Sequence, residues 1–155
     1  HVSRAVWERS RRLTYGGGMD VPSSRAAPAA RVREAAELFG RDVVIDWCEQ
    51  LLTGAVTDDD PSYPDISWLK GTIGWPDHWR RVWGARGLLH VGPPAHPEIV
   101  IGALDDGAWR VREMALKVIA RHGLDLDGVT ALVSDENERV RLQALRALGV
   151  PPSDR

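Results

Sequence analysis

Two stretches of this chain follow one pattern at a spacing of 29 residues. Asp105 to Gly123 reads DDGAWRVREMALKVIARHG, and Ser134 to Gly149 reads SDENERVRLQALRALG. In register, Asp106 falls on Asp135, Val111 on Val140, Arg112 on Arg141 and Ala115 on Ala144. A helical hydrophobic pattern recurring about every 30 residues constrains the fold more than any composition does. Each unit is too small to bury its apolar face alone and must stack on its neighbours, which is the logic of an α-solenoid. The expected fold is therefore all-α, a short right-handed α-solenoid of helical hairpins with N-terminal capping helices. The cap is required because an open first unit would expose its apolar side. Solenoids mostly present binding surfaces, so the architecture by itself names no reaction.

The rest of the chain divides around this pattern. Residues 1–25 carry Arg4, Arg9, Arg11, Arg12 and Arg25 against Glu8 and Asp20, and read as a flexible basic arm. Gly16-Gly17-Gly18 gives up much backbone freedom on ordering. The Met19 that follows reads as an internal start, with His1 to Gly18 either vector-derived or an upstream extension. Residues 26–76 are expected to form the helical cap. A first helix opens at Pro28, which suits a first turn, and stops at Gly40. A second runs from Asp42 to Leu52, with Val44, Ile45, Cys48, Leu51 and Leu52 on a core-facing stripe. The acidic stretch Thr57 to Pro64 is a surface loop, and a short helix is expected over Ser67 to Thr72. Residues 77–150 hold the repeats, with long helices at Asp77–His90, Ala108–His122 and Glu138–Leu148. Short helices are expected at Pro97–Leu104 and Asp127–Val133, and residues 151–155 form a tail. No segment alternates long enough to compete as a strand.

Three features carry a resemblance. An aspartate precedes each long helix, at Asp106 and Asp135. A Val-Arg pair stands one turn in, Val111-Arg112 and Val140-Arg141. A small residue comes one turn later, followed by two apolar ones, Ala115 with Val118-Ile119 and Ala144 with Ala147-Leu148. These residues resemble the HEAT-repeat family, in its short form of phycobilisome-lyase type. WRRVWGARGLL, from Trp79, is a degenerate earlier copy whose Val-Arg position holds Arg81-Val82. The resemblance spans Trp79 to Gly149. In physical terms Asp106 and Asp135 are expected to cap their helices, the valines to enter the core and the alanines to admit close helix packing. Arg112 and Arg141 would lay their stems on the adjacent unit and bond the aspartate or a loop carbonyl.

The candidate surface is a Trp/Arg ridge of Trp79, Arg80, Trp109, Arg110, Arg112, Arg139 and Arg141. Tryptophan and arginine are the commonest interface anchors. Four of the seven tryptophans, Trp68, Trp75, Trp79 and Trp83, lie close together in the chain. They read either as a core joining the cap to the repeats or as part of that ridge. The expected function is a non-enzymatic protein–protein interaction or scaffold module. The second reading is nucleic-acid binding through the same arginines. Its enzymatic variant resembles the HEAT-like alkylpurine DNA glycosylases, with Trp79, Trp109 and Asp105 or Asp106 around a lesion. Arg80, Arg81, Arg110, Arg112, Lys117 and Arg121 would line the groove. Against it, residues from Trp79 onward hold 11 cations and 10 acids, which is no electrostatic funnel. A bilin-lyase activity is implied only by the name of the repeat type.

The remaining chemistry is sparse. Net charge is −2 over 155 residues, so no global field favours nucleic acid. Basic residues are 18 arginines and 2 lysines, which reads as GC-rich coding. His78, His90, His96 and His122 show no metal spacing, so neither metal nor cofactor is expected. His122 sits at a helix C-terminus, where an imidazolium suits the dipole. The single cysteine, Cys48, excludes an internal disulfide, lies on an apolar face and fits a reducing, cytoplasmic setting. No apolar run is long enough to span a membrane, no secretory leader is evident at the start of the sequence, and no membrane or small-molecule partner is expected.

Overall fold

The computed structural model describes residues 26–151. The basic arm over residues 1–25 and all of the tail beyond Pro151 lie outside them. Among the described residues the chain is all-helical, with no strand. Six α-helices follow one another: α1 (Pro28–Phe39), α2 (Arg41–Thr53), α3 (His78–Val91), α4 (Pro97–Gly102), α5 (Trp109–His122) and α6 (Glu138–Ala147). Single 3-10 turns lie at Ile66–Leu69, Ala103–Asp105 and Thr130–Ser134. No described helix is long and apolar enough to cross a membrane.

Short elements tightened relative to expectation. The third helix shrank to the 3-10 turn Ile66–Leu69, where Asp65 accepts a hydrogen bond from the Ser67 N–H at 2.9 Å and Lys70 ends the turn at φ 63°. The stretch expected as a short helix at Asp127–Val133 is the 3-10 turn Thr130–Ser134. Both are too short to repay helix nucleation and take the tighter turn instead.

One glycine joins α1 to α2. Gly40 donates its N–H to Ala36 O and accepts from Val44 N–H, so it closes one helix and opens the next. It does this at φ 99°, a region that side chains with a Cβ rarely adopt. Helix α2 then sends Val44, Trp47, Cys48 and Leu51 inward, each at most 1% exposed.

Helix α3 is the hub. It packs against α1, α2 and α5, and α5 in turn packs against α6. Being covered on several sides, α3 buries Val82, Trp83, Gly84, Ala85, Gly87, Leu88 and Val91 and shows no single apolar stripe. Its glycines set the approach to α2. A Cβ at Gly84 would stand 2.6 Å from Cys48 O and 2.9 Å from Leu51 Cβ, and one at Gly87 would run into Cys48 Sγ. A continuous core follows through Val100, Leu104, Val111, Ala115, Leu116, Val118, Ile119, Val129 and Val140.

Candidate functional site

The ridge residues come from the first turns of three successive long helices, but they divide into two sets. One set forms a stacked ladder at the surface. Arg110 places its guanidinium over the rings of both Trp79 and Trp109, at 5.2 and 4.3 Å from their centroids. Arg139 lies over the Trp109 ring at 5.1 Å. The same Arg139 grips Glu113 through Nε and Nη2, at 2.9 and 3.2 Å. Trp79, Arg110, Trp109 and Arg139 therefore alternate ring and cation across α3, α5 and α6, with a buried carboxylate at the end. Cation–π contacts of this kind attract each guanidinium to the face of its ring.

The ladder runs into an aromatic corner. Trp75 is 49% exposed and meets Trp79 edge-on at 5.4 Å and Trp83 at 6.0 Å. Trp79 and Trp83 stack at 6.4 Å. The tryptophans divide between core and surface. Trp68 and Trp83 are core, Trp79 and Trp109 are half-buried, and Trp75 is open.

The second set bonds back onto the chain. Arg112 is 8% exposed. Its Nη1 donates to Asp106 O at 2.8 Å, and its Nε and Nη2 donate to the Asp135 carboxylate, each at 3.0 Å. It locks the turn before α5 to the turn before α6 and is not part of the outer ridge. Arg141 repeats the first of these bonds, donating to Asp135 O at 2.7 Å. Arg80 is largely covered as well, with Asp77 at 3.7 Å.

The degenerate first unit keeps this interlock by another route. Arg81 donates through Nε and Nη2 to Asp106, at 2.7 and 3.2 Å. The exchanged Arg81-Val82 order therefore still supplies the arginine that reaches the next unit's aspartate. Arg81 carried weight in sequence only as a groove cation. Its recurrent role shows once Arg81–Asp106 and Arg112–Asp135 are seen as one contact made twice.

Asp106 and Asp135 act one step earlier than helix caps. Each accepts the N–H two residues on, Ala108 at 2.8 Å and Asn137 at 2.9 Å, and so shapes the turn that leads into the helix. The cap of α6 is Asn137, which accepts from the Arg139 and Val140 N–H groups, while Ala108 of α5 has no side-chain cap bond. The aspartates sit back because their oxygens are committed to arginine. Burial opposes ionisation of Asp135. The Arg112 hydrogen bonds, the Asn137 N–H and the nearby Arg112 and Arg141 charges outweigh it and hold this carboxyl below its ordinary range. Asp77 stands 29 residues before Asp106 in the same series, a regularity that the aligned segments above stopped short of. Its side chain is 80% exposed.

Cys48 is fully buried, and burial with Glu49 nearby pushes its thiol up, away from nucleophilic chemistry. His122 Nε2 lies 2.8 Å from Leu88 O, so this nitrogen carries the proton and ties α5 to α3. Glu49, 1% exposed, accepts from the His96 N–H at 2.6 Å and lies 3.2 Å from His96 Nδ1. An open cleft of about 470 Å³ is lined by Leu52, Arg81, Glu98, Ile99, Ala103 and Asp106 among others. Of its three charged lining residues, Arg81 and Asp106 pair with each other, which leaves Glu98. Asp105 is exposed, and Asp106 is held on both oxygens by Arg81 and the Ala108 N–H. Among the described residues no group of three metal-ligating side chains converges. Scans against protein-family models, curated proteins and solved structures return no match to this chain.

Proposed function

We propose that this chain is a non-enzymatic protein–protein interaction module. In this reading α3 to α6 form a short right-handed α-solenoid of HEAT-like hairpins, α1 and α2 are its cap, and the outer ladder is its contact surface. The observation that supports it is the alternation of Trp79, Arg110, Trp109 and Arg139 across three successive helices. Each cation is held over a ring, so the surface is ordered before it meets anything. Rigid amphipathic anchors of this composition lose little freedom on binding. Arg110 and Arg139 are exposed and leave guanidinium edges for a partner's carboxylates, while Trp75 offers an apolar face beside them. The matching partner is a protein surface carrying acidic side chains next to an apolar residue.

Trp109 is central, because it touches both cations. The test is capture of partners from native extract with the wild-type chain and Trp109→Ala, with and without nuclease. Circular dichroism of the variant confirms its fold. A bound protein that survives nuclease and is lost with Trp109→Ala supports the reading. Recovery abolished by nuclease, with a steep salt dependence, would replace it with nucleic-acid binding through the same arginines.

A further inference from the structure

The two ends of the helix stack are treated differently. At the front, α2 covers α3. At the back, α6 packs against α5 and the turn Thr130–Ser134, and no helix follows it among the described residues. The 29-residue register lets α5 and α6 be compared position by position. Leu116 and Ile119 of α5 are fully buried, whereas their counterparts Leu145 and Leu148 of α6 are only half-covered. Leu142 and Val150 beside them are 36% and 45% exposed.

Arg141 stands on the same side as the counterpart of Arg112. The two share the bond to their own turn, to Asp106 O in one case and Asp135 O in the other. In Arg112 that bond leaves Nε and Nη2 directed at the following aspartate. Arg141 has the same anchor, and among the described residues no carboxylate pairs with its Nε and Nη2.

We infer that the outer face of α6 docks a helical unit of a partner protein that brings an aspartate just ahead of its helix, to be gripped by Arg141 over an apolar patch of Leu142, Leu145 and Leu148. Charge complementarity selects a carboxylate, and the two internal examples, Arg81–Asp106 and Arg112–Asp135, give its setting. A second copy of this chain does not fit. Asp106 and Asp135 are already held by their own arginines, and α2 blocks the face that follows Asp77. The inference stands apart from the ladder, which is built of Trp79, Arg110, Trp109 and Arg139.

A peptide copying Leu124 to Gly149 supplies the aspartate and the helix as a probe. It is titrated into the full chain by calorimetry. Binding is expected, with at least a tenfold loss on Arg141→Ala of the chain and a matching loss on Asp135→Asn of the peptide, the two losses failing to add. A second measurement does not depend on a free peptide folding. In the full chain, residues 150–155 are replaced by a copy of residues 121–151. This extended chain is expected to melt several degrees above the natural one, and Arg141→Ala is expected to lower its melting point more than that of the natural chain. Peptide binding indifferent to Arg141, or an extended chain whose melting point Arg141→Ala shifts no more than the natural chain's, overturns the proposal.

Discussion

The contact between α2 and α3 and the contacts along α3, α5 and α6 solve the same packing problem by opposite means. At α2–α3 the helices meet through absence of side chain: Gly84 and Gly87 let α3 sit on the Cys48 backbone and sulfur. From α3 onward the helices are held in register by bidentate arginine–aspartate bonds, Arg81–Asp106 and Arg112–Asp135. The first contact is a unique fit, made once. The second is a transferable one, made wherever an arginine one turn into a helix meets an aspartate before the next. A transferable contact permits repetition, and among the described residues Arg141 keeps only the bond to Asp135 O.

This contrast can be broken from either side. The largest effect is expected from Arg112→Ala. It leaves the Asp135 carboxylate, 8% exposed, without its guanidinium, and loss of one partner of a buried pair costs about 3–5 kcal/mol. Urea denaturation measures it, and a loss below about 1 kcal/mol would mean that the interlock is decorative. Gly84→Val attacks the other contact. Its added atoms meet Cys48 O and Leu51 Cβ, and overpacking of this kind costs about 1–3 kcal/mol. A neutral result would show that α2 and α3 slide freely.

Arg141→Ala sharpens the comparison within the motif. It removes one bond to Asp135 O, worth about 0.5–1.5 kcal/mol, so it should cost much less than Arg112→Ala. Equal losses would imply that position in the stack is irrelevant.

The pH dependence separates the two regions by sign. The Asp135 carboxyl is lowered in the fold, so its contribution is complete above the unfolded value of about 4 and is lost as pH falls through the folded one. Asp135→Asn should flatten the acid limb of stability. His96, whose imidazole is raised by its hydrogen bond to Glu49 and by that carboxylate's charge, behaves the other way. Its contribution is complete below about pH 6.5 and fades as pH rises through the folded value. His96→Ala should remove that fade, the smallest of these effects because the ring is exposed. Thermal melts from pH 3 to 8 read both limbs.

Much of this was legible in the residues, for a physical reason. Helix spacing of apolar positions, glycine stops and a 29-residue period are local signals, and local signals survive in a one-dimensional record. They gave the all-helical class and the position of every long helix. They also gave Cys48 as buried and Trp79 and Trp109 as level with one another. What the period could not carry is which partner each polar group takes. Val-Arg and Arg-Val orders differ in sequence, yet Arg81 and Arg112 reach the same kind of carboxylate, because stem length and helix rotation absorb a one-residue change. Arg112 and Arg139 both belonged to the expected ridge. The fold turns the first inward to Asp135 and the second outward onto Trp109, a difference set by the helix face each occupies. Glu49–His96 joins residues 47 apart in sequence and has no sequence signal at all. The sequence by itself determined the elements and their repetition, since these depend on neighbours along the chain. Only the tertiary structure decided which arginines bind the protein and which face the solvent, since that depends on neighbours across it.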